Sequence, residues 1–467
     1  MKRRIFLSIL FAVISIATYA QVKYVFYFIG DGMGVNQVNI TEMFEAEAKH
    51  GKISHVPLQF ASFPHSGLVM TFSATNSVTD SSAAGTALST GIKTYNGAIG
   101  LDEKGDRIES IAEKALRAGK RVGVATSVSV DHATPAAFYA HQAKRKMYYE
   151  IATDLPKSNF HFFAGSGFLS PNTTYKKEPA TSVFELFDKG GYTVARGLEE
   201  YKSKRNKAEK MILIQKAEKE QSSLPYAIDR EKDDLTLAQI TSSAIDFLTK
   251  GNNKGFFLMV EGGKIDWACH DNDAATSIEE VKDLDEAVKV ALDFYKKHPK
   301  ETLIVITADH ETGGIALGTG GYQLNLKALK YQKKSTGELS KEISKLRKEK
   351  NNKVSWEDIK ELLAENMGFW KNIPITWEQE KKLRDEFEKS FVKNKVVFEK
   401  SMYTRSEPVA ACAKEIMSEI AMVSWASNDH SAGYVPVFAI GKGAEMFNGR
   451  IDNTEIPKRI AKLAGYK

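Results

Sequence analysis

Apolar runs rich in β-branched and aromatic residues alternate with amphipathic segments along most of the chain. The apolar runs predict strands at residues 22–29, 121–130, 255–260, 302–307 and 434–440. The amphipathic segments repeat their apolar positions every three to four residues and predict helices at residues 107–118, 235–248 and 279–295. Continuous apolar strands between helices are typical of a mostly parallel sheet with both faces covered. We therefore predict a doubly wound α/β fold with helices on both faces of the sheet.

Residues 327–400 differ from the rest of the chain in charge. They hold 19 Lys or Arg and 13 Asp or Glu in 74 positions, or 43%, against 27% charged residues in the whole chain. The two signs are mixed over what reads as several charged helices, which favours a solvated helical segment over a basic nucleic-acid-binding arm. We predict that this segment is a charged helical cap inserted into the α/β domain.

The first twenty residues have the pattern of a secretory signal peptide. Basic residues at 2–4 precede an apolar stretch at 5–17, and small residues lie one and three positions before Gln21. A membrane anchor would need about 20 apolar residues, and the sequence has no later segment of that kind. We therefore expect residues 1–20 to be removed, which leaves one α/β domain at 21–467 that is exported to the periplasm or secreted.

Charge and cysteine content exclude two other classes of protein. The net charge of +6 falls to +3 without the three basic residues near the N-terminus, which is too little for a nucleic-acid-binding surface. The only cysteines are Cys269 and Cys412, which excludes a disulfide-rich scaffold. One bridge between the two and a pair of buried thiols both stay open, and the thiols are favoured.

Carboxylates and histidines lie at the ends of several predicted strands. These residues are Asp31, Glu261, Asp266, His270, Asp309, His310 and His430. A single acid at a strand end is usually a cap or a turn residue. A set on several strands is better explained by a shared metal site, because the carboxyl ends of parallel strands meet at one edge of a sheet.

The spacing of these residues favours particular metals. Asp266 and His270 are four positions apart, so on a helix they share one face. Histidine with carboxylate suits Zn²⁺, whereas Asp31 and Glu261 with a hydroxyl suit a hard ion such as Mg²⁺. Two or three neighbouring metals indicate anionic chemistry, and two-metal sites are typical of phosphoryl transfer.

A serine nucleophile is also available. Ser81 follows Asp80 at the start of a run of small, helix-tolerant residues. Backbone N–H groups at a helix N-terminus attract a phosphate, which would bring Ser81 against the phosphorus. An ordinary helix cap explains the same local sequence, so both interpretations stay open.

Six motifs of the chain resemble those of bacterial and animal alkaline phosphatases. In the family's order, they are GDGMG at 30–34, DSSA at 80–83, TPAA at 134–137, EGGKID at 261–266, DHETGG at 309–314 and HSAG at 430–433. The resemblance implies an exported, metal-dependent hydrolase that releases inorganic phosphate from small phosphate monoesters. A homodimer is compatible with it.

The resemblance also implies a role for individual residues. Ser81 matches the serine that becomes phosphoserine, and Arg145 matches the arginine that clamps phosphate. The implied ligands of one zinc are Asp266, His270 and His430. Those of a second zinc, which also activates the serine, are Asp31, Asp309 and His310. Those of one magnesium are Asp31, Thr134 and Glu261.

Two positions depart from many bacterial members of that family. His132 stands where they have Asp, although His is common there in animal members, and Trp267 stands where they have Lys. Both are expected beside the magnesium rather than among its ligands. The metal preference of that third site is therefore open.

Four other functions explain part of the sequence. A phosphodiesterase of the same fold is the main alternative, although an arginine that grips two phosphate oxygens suits a monoester. A sulfatase would need a C/S-x-P-x-R motif, which the run after Ser81 lacks. A dinucleotide-binding oxidoreductase is disfavoured because the glycines at 30–34 have the wrong spacing. A non-catalytic metal- or phosphate-binding protein would explain the ligands but not the serine and the arginine.

Overall fold

The computed structural model describes residues 21–216 and 222–467, so the predicted signal peptide lies outside the described residues. The strands are β1 (Tyr24–Gly30), β2 (His65–Met70), β3 (Arg121–Thr126), β4 (Phe162–Gly165), β5 (Tyr192–Arg196), β6 (Lys210–Ile214), β7 (Phe256–Gly262), β8 (Thr302–Thr307), β9 (Glu311–Thr312), β10 (Ala316–Leu317), β11 (Glu399–Lys400), β12 (Arg405–Ser406), β13 (Val423–Ser424), β14 (His430–Ser431), β15 (Val435–Gly441) and β16 (Gly449–Asp452).

The α-helices of the described residues are α1 (Val35–His50), α2 (Ser81–Thr90), α3 (Ile111–Arg117), α4 (Ala133–Ala136), α5 (Tyr148–Ser158), α6 (Val183–Lys189), α7 (Gly197–Lys204), α8 (Leu237–Thr249), α9 (Lys264–His270), α10 (Ala274–Lys297), α11 (Thr336–Glu349), α12 (Trp356–Met367), α13 (Trp377–Phe387), α14 (Pro408–Ala421) and α15 (Glu455–Ala464). None of them is both long enough and apolar enough to cross a membrane.

Ten of the strands form one central sheet in the order β16-β2-β15-β8-β1-β7-β3-β4-β6-β5. The run from β8 to β5 is entirely parallel, and β15 is antiparallel to both of its neighbours. Every residue of β1 is buried, as a central strand with helices on both faces requires. The predicted mostly parallel α/β fold is therefore confirmed.

Strands β2, β4, β5, β6 and β16 were not predicted, and local interactions explain two differences in the bounds of elements that were. Helix α3 begins later than predicted because Ser110 caps it, in a reciprocal capping box with Glu113. The strand predicted at 121–130 ends at Thr126, because Val128 leaves the sheet and forms an isolated antiparallel bridge with Ser223.

The charged segment 327–400 forms the three helices α11, α12 and α13, so its predicted helical character is observed. Their apolar faces do not lie on a purely solvated surface. Ile343, Leu363 and Leu383 are buried in a hydrophobic cluster that also contains Phe44 of α1 and Ala413 of α14. The segment therefore shares a core with helices outside it. That it is an inserted cap stays a prediction.

Both cysteines are free and buried, which favours the interpretation as two thiols. Cys269 belongs to the main cluster around the sheet, whereas Cys412 belongs to the cluster shared with the charged segment.

We expect Ile359→Ala to destabilise the protein. Ile359 of α12 is 0% exposed in the shared cluster, and truncation of a buried isoleucine typically costs about 2–5 kcal/mol. The free energy of unfolding should fall by that amount in denaturant titrations. The exposed Glu361→Ala of the same helix is the matched control and should stay within about 0.5 kcal/mol of the parent. Equal stability of both variants would contradict burial of this helix face.

Candidate active site

Three neighbouring parallel strands bring three carboxylates to one edge of the sheet. Strand β1 lies between β7 and β8, and Asp31, Glu261 and Asp309 lie at the carboxyl ends of these strands or just beyond. All three residues are 0% exposed. The turn after β1 needs glycine at position 32 for two reasons. Its φ is 73°, which residues with a side chain rarely adopt, and a Cβ there would lie 2.8 Å from the Cα of Asp266.

His430 reaches the same edge because β15 runs opposite to its neighbours. The start of β15 therefore lies beside the ends of the parallel strands. The short strand β14 pairs with β9, which sets His430 opposite Thr312. Its Nε2 lies 3.6 Å from Oδ1 of Asp266.

Helix α9 supplies two more of the expected residues. Asp266 and His270 share one face of this helix, and Nε2 of His270 lies 3.3 Å from Oδ1 of Asp266. Asp266 Oδ1 also accepts a 2.6 Å hydrogen bond from Oγ1 of Thr312. Thr312 had no assigned role in the sequence interpretation, although it belongs to the DHETGG motif.

The described residues contain three overlapping sets whose ligand atoms lie within 4.8 Å of one another. The sets are Asp266 with His310 and His430, Asp31 with Asp309 and His310, and Asp31 with His132 and Glu261. The second set is the trio expected for one zinc. The first differs from the other expected trio in containing His310 where His270 was expected.

The third set brings His132 closer to the carboxylates than the sequence interpretation assumed. His132 offers a ring nitrogen to the same position as Asp31 and Glu261. Thr134 lies nearby and donates a 3.2 Å hydrogen bond from Oγ1 to Oδ2 of Asp309. A second hydroxyl, that of Thr126, donates to Glu261, and nothing in the local sequence of Thr126 singled it out.

The polar atoms left without partners fit a metal centre. Buried atoms without a hydrogen bond include both carboxylate oxygens of Asp31, Oε1 of Glu261, Oδ2 of Asp266, Nδ1 of His132 and Nε2 of His270 and His430. Buried polar atoms are costly unless they are paired. Cations held between these atoms would pair them.

Carbonyl groups fix the protonation of two of the histidines. Nδ1 of His430 donates to the carbonyl of Thr79 at 2.8 Å, and Nδ1 of His270 donates to the carbonyl of Asn428. Each ring therefore presents the lone pair of Nε2, which is the arrangement of metal-binding histidines.

Electrostatics also favours bound cations. Burial raises the pKa of Asp309 to about 7 and that of Glu261 to about 8, and repulsion from neighbouring carboxylates adds to both shifts. Burial and the same repulsion raise the pKa of Asp31 well above its usual value. Without cations, these carboxylates would have to bind protons near neutral pH.

Ser81 is the first residue of α2, and its side chain faces the second set of ligands. Its Oγ lies 3.2 Å from Nε2 of His310. The residue before it, Asp80, caps the helix by accepting a 2.9 Å hydrogen bond from the backbone N–H of Ala83. Ser82 instead donates its hydroxyl to Asp80 at 2.5 Å. Asp80 is thus the helix cap, and the hydroxyl of Ser81 faces the candidate ligands instead.

Arg145 completes the surroundings of the serine. Its Nη1 lies 3.5 Å from both Oδ2 of Asp80 and Oγ of Ser81, and its Nη2 lies 3.5 Å from the hydroxyl of Tyr403. Tyr403 stacks on Trp267 with ring centroids 4.2 Å apart. Sequence reasoning missed Tyr403, since an isolated tyrosine in an irregular segment carries no signal.

Comparison with known proteins points to one family. The alkaline phosphatase family model matches residues 22–161 and 199–466. Alkaline phosphatase 4 of Bacillus subtilis (strain 168) is 33% identical over 457 residues, which cover 95% of this chain and 89% of that protein.

Two solved structures resemble the chain over nearly its whole length. The cold-active alkaline phosphatase from the psychrophile Shewanella sp. has a TM-score of 0.77 at 28% identity and covers 94% of this chain and 99% of its own. A TAB5 alkaline phosphatase mutant, in which a histidine is replaced by aspartate and Mg is bound in the M3 site, has a TM-score of 0.66 at 27% identity. That match covers 96% of this chain and 99% of the TAB5 chain.

We expect His430→Ala to lose about one metal ion per chain, because its site would keep too few protein ligands to hold the ion firmly. Elemental analysis of the purified variant measures the loss. The exposed His50→Ala is the matched control and should keep the parent's metal content. An unchanged metal content in His430→Ala would remove this histidine from the site.

Proposed function

This chain belongs to the alkaline phosphatase family, and we propose that it hydrolyses phosphate monoesters through a phosphoserine on Ser81, in a site with two Zn²⁺ and one Mg²⁺. Metal-dependent phosphomonoester hydrolysis follows from the family. The nucleophile, the metals and their ligands are the proposal. The observation that carries it is the position of Ser81 Oγ, 3.2 Å from His310 and 3.5 Å from Arg145.

Five of the proposed ligands, Asp31, Glu261, Asp266, His270 and His430, carry a buried polar atom without a hydrogen bond. One zinc would be held by Asp266, His270 and His430, and the other by Asp31, Asp309 and His310. The magnesium would be held by Asp31, Thr134 and Glu261, with His132 beside them. When bound, these ions would lower the pKa of the serine hydroxyl and of water, and would neutralise charge that develops on oxygen.

Ser81 is placed to act as the nucleophile. Its Oγ loses its proton and attacks phosphorus, and the alcohol oxygen of the substrate leaves from the opposite side. The first turn of α2 directs its free backbone N–H groups towards the phosphate. Water then hydrolyses the phosphoserine and releases inorganic phosphate.

Arg145 is placed to bind two oxygens of the phosphate with its forked donors. Asp80 and Tyr403 lie on either side of the guanidinium and orient it. A monoester keeps more free oxygens for this fork than a diester does. The alternative, a phosphodiesterase, is not favoured by the family model or by the relatives described above.

The remaining sequence expectations belong to the same proposal. We propose that the protein is exported after cleavage before Gln21, that residues 327–400 are an inserted cap, and that small phosphate monoesters are its substrates. N-terminal sequencing of the mature protein tests the cleavage. A first residue other than Gln21 would contradict it.

We expect Ser81→Ala to form no phosphoenzyme while its metal content stays normal, because the serine joins a site built by other residues. Loss of a nucleophile that acts within a set typically lowers kcat by roughly three orders of magnitude or more. Rapid quench followed by mass spectrometry of the intact protein detects the covalent phosphate.

Ser82→Ala is the matched control for this experiment. Its hydroxyl is bonded to Asp80 rather than directed at the ligands, so this variant should still form the phosphoenzyme. Normal phosphoenzyme in Ser81→Ala, or its loss in Ser82→Ala alone, would identify Ser82 as the nucleophile.

We expect added Mg²⁺ to raise activity and His132→Asp to shift the activation curve to lower Mg²⁺. Burial lowers the pKa of His132 to about 3, so the ring is neutral and adds no charge to attract a hard ion. Aspartate would add that charge. The TAB5 mutant with a histidine replaced by aspartate and Mg in its M3 site supports this expectation.

The measurement is activity against Mg²⁺ concentration in both proteins. Trp267 lies 6.0 Å from His132 between ring centroids and could limit the effect by excluding water from the site. Metal analysis of both proteins at saturating Mg²⁺ controls for a change in the zinc content. Overlapping activation curves would show that His132 does not tune the third site.

A further inference from the structure

A cavity of about 790 Å³ borders the candidate active site. We call it the Lys264 cavity, after the lysine in its inner wall. Trp267 and Tyr403, which also line it, separate it from the site of phosphoryl transfer. The outer wall includes Lys345, Lys348 and other residues of α11.

The cavity is close to Ser81 through a short chain of contacts. Oγ of Ser81 lies 3.5 Å from Nη1 of Arg145, and Nη2 of the same guanidinium lies 3.5 Å from the hydroxyl of Tyr403. Trp267 directly follows the proposed ligand Asp266. The wall of the cavity at Tyr403 therefore lies beside the guanidinium that contacts Ser81, and a leaving group that bends around this wall would enter the cavity.

The inner wall carries a buried cation without an acidic partner. Lys264 is 4% exposed, and its Nζ donates a 2.8 Å hydrogen bond to Oγ of Ser223. The ammonium also lies 3.4 Å from the ring centroid of Tyr226 and 4.8 Å from that of Trp267. Among the described residues, no carboxylate forms an ion pair with it. Burial outweighs the attraction of the carboxylates of Glu280, Asp229 and Asp271 and lowers the pKa of Lys264 to about 8, so an anion in the cavity would stabilise its charged form.

The outer wall adds further positive charge. Lys341, Lys345 and Lys348 lie on one face of α11, and Arg405 of β12 lines the same cavity. Lys341 pairs with Glu338 at 2.9 Å. In the part of the chain that the structure describes, Lys345 and Lys348 have no ion pair.

The acidic residues of the cavity offset most, but not all, of this charge, because five cations line it against the four acids Asp229, Glu231, Asp234 and Glu338. Asp229 accepts a 2.8 Å hydrogen bond from the backbone N–H of Ser335, and Asp234 accepts one of 2.8 Å from that of Glu231. Glu338 is paired with Lys341, and Glu231 has a contact of its own. The lining therefore keeps a small excess of positive charge, and the ammonium groups of Lys345 and Lys348 are the ones available to attract an anion.

We propose that the Lys264 cavity binds a second anionic group on the leaving group of the substrate, so that phosphate monoesters carrying another phosphate are preferred. The inference rests on the proposed function, since it takes Ser81 as the point of phosphoryl transfer. The reaction is unchanged, and the second phosphate serves for binding.

The test compares substrates that differ in one phosphate. For the parent protein, kcat/KM is measured with butanediol and hexanediol bisphosphates and with butyl and hexyl phosphates. The measured ratio is kcat/KM for the bisphosphate divided by kcat/KM for the monophosphate of the same chain length. A bisphosphate has two equivalent scissile groups, so a ratio of about two needs no subsite. We expect a ratio well above that, which falls as added salt screens the charges.

Removal of positive charge from the outer wall tests whether Lys345 and Lys348 bind the second phosphate. In Lys345→Gln/Lys348→Gln, the ratio should fall about threefold to tenfold, mainly through KM, as expected for two solvent-exposed charge interactions. Lys371→Gln/Lys393→Gln is the matched control, because both lysines are exposed and neither lines the cavity. Its ratio should equal that of the parent.

A parent ratio of about two at low salt would overturn the inference, and so would an equal fall of the ratio in both double variants. Either result leaves the proposed function standing, because hexyl phosphate is still hydrolysed. Failure of the parent to hydrolyse hexyl phosphate would instead overturn the proposed function.

Discussion

Repulsion among buried carboxylates is the constraint on which this site depends. Asp31, Glu261, Asp266 and Asp309 are all fully buried at one edge of the sheet, where the low dielectric strengthens every interaction between charges. Such a cluster is stable only when protons or cations neutralise it. Hydrogen bonds to backbone carbonyls hold the rings of His270 and His430 in place, and the turn at Gly32 packs closely against Asp266. Several lone pairs on the carboxylates and histidines therefore stay without a hydrogen bond. The fold thus holds in place a set of atoms that cations complete.

The sequence was sufficient for the parallel strands β1, β3, β7 and β8 and for the residues near their ends, whereas the parallel strands β4, β5 and β6 were not predicted. A buried parallel strand is an unbroken apolar run, and a polar residue directly after it is conspicuous, as with Asp31 after β1 and Asp309 after β8. The direction of β15 was not predictable, because an apolar run reads alike in either direction. Only the observed pairing with β8 explains how His430, which precedes its strand, joins residues that follow theirs.

Contacts between distant segments account for what sequence reasoning missed. The charge pattern of residues 327–400 predicted helices, but it did not predict that their apolar faces pack with Phe44 and Ala413 in one hydrophobic cluster. Tyr403 lies just beyond these helices, in a segment without periodicity. A hydrogen bond between Ser401 and Asp271 holds that segment beside α9. Its position near Arg145 therefore depends on packing that no local pattern records.

If Arg145 binds phosphate as proposed, the aromatic pair of Trp267 and Tyr403 affects how the phosphate is held. Trp267 stands where the resemblance implies lysine in many bacterial alkaline phosphatases, and Nζ of Lys264 lies 4.8 Å from the centroid of its ring. Among the described residues, Arg145 is then the cationic side chain in contact with Ser81. A single guanidinium binds phosphate well only in one orientation, because its donors form a planar fork. Asp80 and Tyr403 contact different nitrogens of the guanidinium, so a tyrosine just beyond the charged helical segment would help to fix the orientation in which Arg145 binds phosphate.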